Sequence, residues 1–128
     1  MTLKVKQGDK IKIVRDDYTG KVVKINTDLI ELLMSNGYVP VLCPPAISYE
    51  SEAINVDNDR AAAILGGALK VDAIVQLFEA PGFLKDFEDP SSLIKNIPGE
   101  SIEDFYQYAG GRMKKKLMGA KEAIEAGV

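Results

Sequence analysis

The stretch GGRMKKK, residues 110–116, places four cations where a helix opens. Met113, Leu117, Ala120 and Ile124 recur at roughly the 3.6-residue spacing of a helical face, and no Ser, Thr, Asp or Asn stands before them to cap the start. The first N–H groups of a helix have no internal partner and present a partial positive charge. Cations there are misplaced, each at a typical cost of up to about 1 kcal/mol. Two glycines let a ligand come close to the backbone. Glycines, a helix start and a lysine together make a cradle for phosphate. The plainer alternative is a solvated basic turn.

Two further stretches carry polar groups at suggestive places. In NVDNDRAA, Asn55, Asp57, Asn58 and Asp59 crowd the start of an Ala-rich helix. Capping accounts for one or two such residues, and the Gly and distal Glu of a calcium loop are missing. An aspartate there could orient cations around a phosphate. In QLFEAPGFL, a turn at Pro81-Gly82 follows an apolar run. Ligands of open α/β sheets sit outside the carboxyl ends of strands, although an ordinary connection would look the same.

The chain has 128 residues, 46% hydrophobic and 27% charged, the composition of one ordinary globular domain. It has no His and a single cysteine, Cys43. That argues against a zinc site, an internal disulfide and a His-dependent nucleophile. A lone cysteine and the absence of a signal-peptide or membrane-span pattern point to the cytoplasm. The net charge of −3 is uneven: +4 over residues 1–24, −10 over 25–111 and +3 over 112–128. This balance disfavours nucleic-acid binding and permits a small anion at one basic spot.

The elements that must position these residues follow from periodicity. LKVKQGDKIKIV reads as a β-hairpin, and DDYTGK as a loop. NTDLIELLMSNG reads as a helix capped by Asn26 or Thr27 and closed by Gly37. YVPVLC is a short strand stopped by two prolines, INVDNDRAAAILGGALK a helix, and VDAIVQLF a strand buried on both faces. ESIEDFYQYAG is a short helix before the last one. The order predicts an α/β fold with a mostly parallel sheet. Residues 1–24 form the hairpin and loop, and residues 25–128 the α/β region. An end at Gly127-Val128 leaves such a sheet looking cut short.

As a set, these motifs resemble the C-terminal, nucleotide-binding half of the amino acid kinase family. The likeness is carried by GYVPVLCPPA, INVDNDRAAAILGGALKVDAIVQLFEAPGFL and GGRMKKKLMGAKEAIEAGV. It is nearest to acetylglutamate kinases, and YTGKV, SYESEAINVDNDRAAA and GRMKKK resemble the branch that phosphorylates aminoadipate or glutamate held on an acidic carrier protein in lysine and arginine biosynthesis. The resemblance implies a three-layer αβα, carbamate kinase-like fold, here truncated, plus the N-terminal hairpin. It implies ATP with Mg²⁺ held through the nucleotide, and transfer to a side-chain carboxylate to give an acyl phosphate.

Position by position, the resemblance makes Asp59 the aspartate that organises catalytic lysines and Lys116 the lysine on the transferred phosphate. Asn55 would contact the amino-acid substrate, with Tyr18, Thr19 and Gly20 on the same side. Glu79, Ala80, Pro81, Gly82, Phe83 and Leu84 would border adenine and ribose, and Gly111 and Met113 would shape the phosphate side. Phe78 stands where the family commonly has a small hydroxyl residue, and Glu79 where it has a shorter acid. The family's N-terminal Lys-x-Gly-Gly loop is absent, so this chain by itself is expected to be inactive. The implied partners are ATP, an amino-acid-derived carboxylate and an acidic carrier protein, with a homo-oligomer allowed and neither nucleic acid nor membrane involved. The alternative is a non-catalytic nucleotide- or partner-binding module on the same fold. A pairing of Asp59 with Lys116 requires the two helix starts to converge.

Overall fold

Alternation of Lys with apolar residues on both sides of a Gly-containing turn is hairpin chemistry. The computed structural model, which describes residues 3–8, 10–14 and 18–128, forms that hairpin. Strand β1 (Leu3–Gln7) pairs antiparallel with β2 (Lys10–Val14) in the register Leu3 with Val14 through Gln7 with Lys10. Asp9 of the turn, and Asp16 and Asp17 of the expected loop, lie outside the described residues.

The chain divides into two units, residues 1–58 and 59–128. In the first, helix α1 (Thr27–Ser35) starts at Asn26, whose side chain accepts the Leu29 N–H at 3.2 Å. It ends with Gly37 at φ +82° and the Tyr38 N–H donating to Leu33, the left-handed closure that glycine favours. Two short strands follow, β3 (Ala46–Ile47) and β4 (Ala53–Ile54), paired antiparallel. Asn55 then bridges to the Tyr18–Gly20 strip: its N–H donates to the Tyr18 carbonyl at 2.7 Å and its carbonyl accepts the Gly20 N–H at 2.9 Å. Gly20 permits this approach, since a methyl group there would meet Ile54 Cγ2 at 2.7 Å.

In the second unit, helix α2 (Asn58–Leu69) leads to a residue in the left-handed region, Lys70 at φ +52°. A minimal antiparallel pair, β5 (Phe83–Leu84) with β6 (Leu93–Ile94), brackets a turn. Gly99–Tyr108 then winds as a 3₁₀-helix, and helix α3 (Gly111–Glu125) closes the chain. The segment expected as an ordinary short helix is 3₁₀, although its inward residues Ile102, Phe105, Tyr106 and Ala109 keep the spacing of an α-helical face. Ile102, Ala109 and Leu117 form the buried cluster, with Phe83, Phe105, Met113 and Ala120 packed around it. The rings of Phe83 and Phe105 meet edge to face at 6.4 Å.

The expectation of strands at YVPVLC and VDAIVQLF needs correction: neither forms one, and no mostly parallel sheet is seen among the described residues. The described sheets are three separate antiparallel pairs, and among the described residues parallel pairing is limited to the Thr19–Asn55 bridge. A continuous apolar run signals a strand that wants burial, but a ladder also needs a neighbouring backbone. Without one, both runs lie open, with Val41 91% and Leu77 90% exposed. Among the described residues no helix is long and apolar enough to cross a membrane.

Ile102 is 3% exposed at the centre of a small cluster. Ile102→Ala should lower the unfolding free energy by about 2–5 kcal/mol, the range for truncating a packed aliphatic side chain, as read from urea denaturation.

Candidate functional site

Helix α3 opens as the charge pattern suggested. Its N-cap is Gly110, at φ −93° and ψ 152°, and no side chain caps it. Gly111 sits at φ +48°, a region that disfavours any residue with a Cβ. Space around both glycines is open, with nothing within 4 Å of where a Cβ would stand. Gly110 and Gly111 are both exposed, so the uncapped start of the helix faces open space.

Lys116 is the cation that the fold gathers in. Its Nζ donates to Asp59 Oδ1 at 2.9 Å, both side chains being about one-fifth exposed, at 23% and 22%. The same Nζ lies over the ring of Phe78, 5.3 Å from its centroid. Lys114 lies over Tyr106 at 5.7 Å. These distances are within the roughly 6 Å reach of cation–π attraction.

Three contacts determine how α2 and α3 bring Asp59 and Lys116 together. Asp59 meets Gly119, Arg60 meets Glu122, and Gly67 meets Ala126. Residue numbers rise together along both helices, so they run in the same direction, with the start of α2 set against the middle of α3 rather than against its start. At the first contact a methyl group on residue 119 would stand 2.9 Å from the Asp59 carbonyl oxygen and 3.1 Å from its carbon. One turn on, Arg60 grips Glu122 with two nitrogens, Nη2 to Oε1 at 2.6 Å and Nε to Oε2 at 3.0 Å. Such fork-to-carboxylate pairs combine strength with fixed geometry. A small cleft of about 200 Å³ lies between the helices, walled by Asp59, Ala63, Ile74, Gln76 and Gly119 among others. Asp59, rather than Lys116, lines it.

The remaining sequence candidates fall into two places. In the 79–84 segment, Glu79 and Pro81 are exposed and Gly82, at φ +152°, makes the turn. Phe83 and Leu84 turn inward, Phe83 against Phe105 and Leu84 buried, so their side chains serve packing. Met113 likewise packs on the core, whereas Gly111 is exposed. Asn55 belongs to the first unit. There Tyr18, Thr19 and Gly20 help wall a cleft of about 970 Å³ together with Asn26, Ser48 and Tyr49.

Elsewhere in the second unit, Lys121 donates to Glu103 and also pairs with Glu125 at 3.5 Å. The Glu103 contact raises the Lys121 pKa above its usual value. The Ser91 hydroxyl and backbone N–H hold the Asp89 carboxyl below its own. Among the described residues no group of three His, Cys, Asp or Glu could hold a metal ion.

Comparison with known proteins agrees with the motifs. The model of the amino acid kinase family matches residues 1–128. The chain belongs to the amino acid kinase family. It is 52% identical over 122 residues to LysW-aminoadipate kinase of Deinococcus radiodurans, covering 95% of this chain and 42% of that protein. It is 48% identical over 128 residues to the Thermus thermophilus protein of the same name, covering 98% and 48%. Acetylglutamate kinase of Methanopyrus kandleri is 38% identical over 112 residues, covering 86% and 46%. The chain thus spans somewhat under half the length of these curated relatives. Membership of this family fits an α/β fold.

Sequence reasoning missed Gly119, Arg60 and the contact of Phe78 with Lys116. Gly119 left a signal: a lone glycine inside a helix costs about 1 kcal/mol relative to alanine and usually marks a close approach. Gly119→Ala should therefore destabilise the chain by about 1–3 kcal/mol, the overpacking cost outweighing alanine's better helix propensity. Urea denaturation gives the sign directly.

Proposed function

We propose that the chain carries the nucleotide-binding portion of an ATP-dependent kinase acting on a side-chain carboxylate. The observation that carries this is the Lys116–Asp59 pair, at 2.9 Å, joining the second turn of α3 to the first turn of α2. The three-layer αβα architecture of the longer protein belongs to the same proposal. The backbone of Glu79 to Leu84 and Gly111 borders the nucleotide, with the side chains of Phe83, Leu84 and Met113 packed behind it, and Lys116 meets the transferred phosphate. Asn55 and the Tyr18–Gly20 strip serve the acceptor.

In the reaction proposed, an acceptor carboxylate oxygen forms a bond to the γ-phosphorus. The bond from that phosphorus to the β–γ bridging oxygen breaks, giving an acyl phosphate and ADP. A carboxylate with a pKa of about 4 is ionised at neutral pH, so no general base is needed, in keeping with a chain that has no His. The difficulty is bringing one anion to another. Positioning and charge neutralisation supply most of the catalysis in such transfers. Asp59 holds Lys116 in place, Lys116 neutralises the phosphoryl oxygens, and the open N–H groups at Gly110–Arg112 add dipolar attraction. Magnesium would be held through the phosphates of the nucleotide rather than by protein ligands, which suits an ion that keeps several waters.

The names of the relatives, LysW-aminoadipate kinase and acetylglutamate kinase, support an amino-acid-derived acceptor; the acceptor, either free or held on a carrier protein, and a place in lysine or arginine biosynthesis in the cytoplasm belong to the same proposal. The second reading, a non-catalytic nucleotide- or partner-binding module, is favoured by Phe78 and Glu79 at the nucleotide segment.

MgATP at 100 times its dissociation constant should stabilise the chain by about 2.7 kcal/mol, seen as a rise in Tm, and Lys116→Met should largely abolish that rise. An equal rise in both proteins would remove Lys116 from the site. Formation of ADP on adding acceptor separates the kinase from the module.

A further inference from the structure

Phe78 has no role in the assignments above, yet it touches the lysine at their centre. The ring lies under the Lys116 ammonium at 5.3 Å while that ammonium donates to Asp59 at 2.9 Å. Phe78 is 38% exposed and stands at the end of the extended run 71–78, immediately before Glu79. The ammonium is thus contacted from two separate parts of the unit, the first turn of α2 and the run before the Pro81-Gly82 turn.

Lysine carries a point charge on a flexible four-carbon stem. A single carboxylate contact fixes the head at one place and leaves the stem free to swing. A second contact removes much of that freedom before any ligand binds, which is how preorganisation raises affinity. The nature of the second contact also matters. An aromatic face attracts a cation without accepting a conventional hydrogen bond, and a lysine has three N–H donors. With Asp59 accepting from one, two remain for an anion. A hydroxyl at position 78 would compete for one of them.

We propose that Phe78 is a positioning residue for Lys116, its ring face fixing the ammonium while leaving two of its donors free for an incoming phosphate chain. The proposal rests on the triphosphate reading above and adds to it a residue that acts through the lysine.

The test uses the full chain with lysine labelled for NMR and two probes, MgATP and inorganic tripolyphosphate, which lacks the base. Wild type and Phe78→Trp should show the Lys116 ε-methylene protons shifted by the ring, and Phe78→Leu should lose that shift. Phe78→Leu should bind tripolyphosphate about 3- to 10-fold more weakly, the scale of a lost cation–π contact, with Phe78→Trp restoring affinity. In a Lys116→Met background, Phe78→Leu should have no further effect. Phe78→Met serves in the same role should the leucine variant not fold.

Absence of the ring shift in wild type overturns the proposal, as does unchanged tripolyphosphate affinity once the shift is lost. Weakened MgATP binding with unchanged tripolyphosphate binding also overturns it, in favour of a contact with the base. Each of these leaves the triphosphate reading standing. A wild-type chain that binds neither probe overturns that reading, and the role of Phe78 with it.

Discussion

The close approach of α3 to the first turn of α2 is the constraint on which the site depends. Gly119 lies where any Cβ would press on the Asp59 backbone, so the two helices meet there only because that atom is missing. Lys116 precedes Gly119 by three residues and shares its face of α3. Setting Gly119 against Asp59 therefore aims Lys116 at the Asp59 carboxylate. Arg60 and Glu122 lock the next turn, and the Gly67–Ala126 contact continues the alignment. One absent methyl group thus links helix packing to the placement of charge.

The same geometry resolves the misplaced cations at the start of α3. Considered within the helix alone, they oppose its dipole. Tertiary partners offset part of that cost: Asp59 and the Phe78 ring for Lys116, and the Tyr106 ring for Lys114. These partners are side chains and a ring face, so they compensate the lysines without capping the backbone. The start of the helix at Gly110 and Gly111 stays exposed. A carboxylate or hydroxyl cap would have settled the helix better and occupied the place where an anion can rest.

The two extended apolar runs show a different dependence. Val39, Val41, Val75 and Leu77 have the side chains of buried strands, yet they stand in the open. Burial of such a run requires pairing on its edges and cover on its faces, and neither comes from the run itself. The chain spans somewhat under half the length of its curated relatives, and the described strands form only local antiparallel pairs.

Local chemistry by itself determined the hairpin, the existence of the three α-helices and both ends of α1. Asn26 caps α1, Gly37 and Gly127 accept the left-handed turn after a helix, and the uncapped basic start of α3 was plain from Gly110 to Lys116. The motifs also carried the family, because the order and separation of three sequence stretches is a property of the string. Tertiary structure decided the rest. The 3₁₀ winding of Gly99–Tyr108 was not legible, because its inward residues have the spacing of an α-helical face. The meeting of Lys116 with Asp59 and Phe78 joins residues 57 and 38 positions apart. No local propensity encodes a contact at that separation, because it exists only where a missing Cβ lets two helices close on each other.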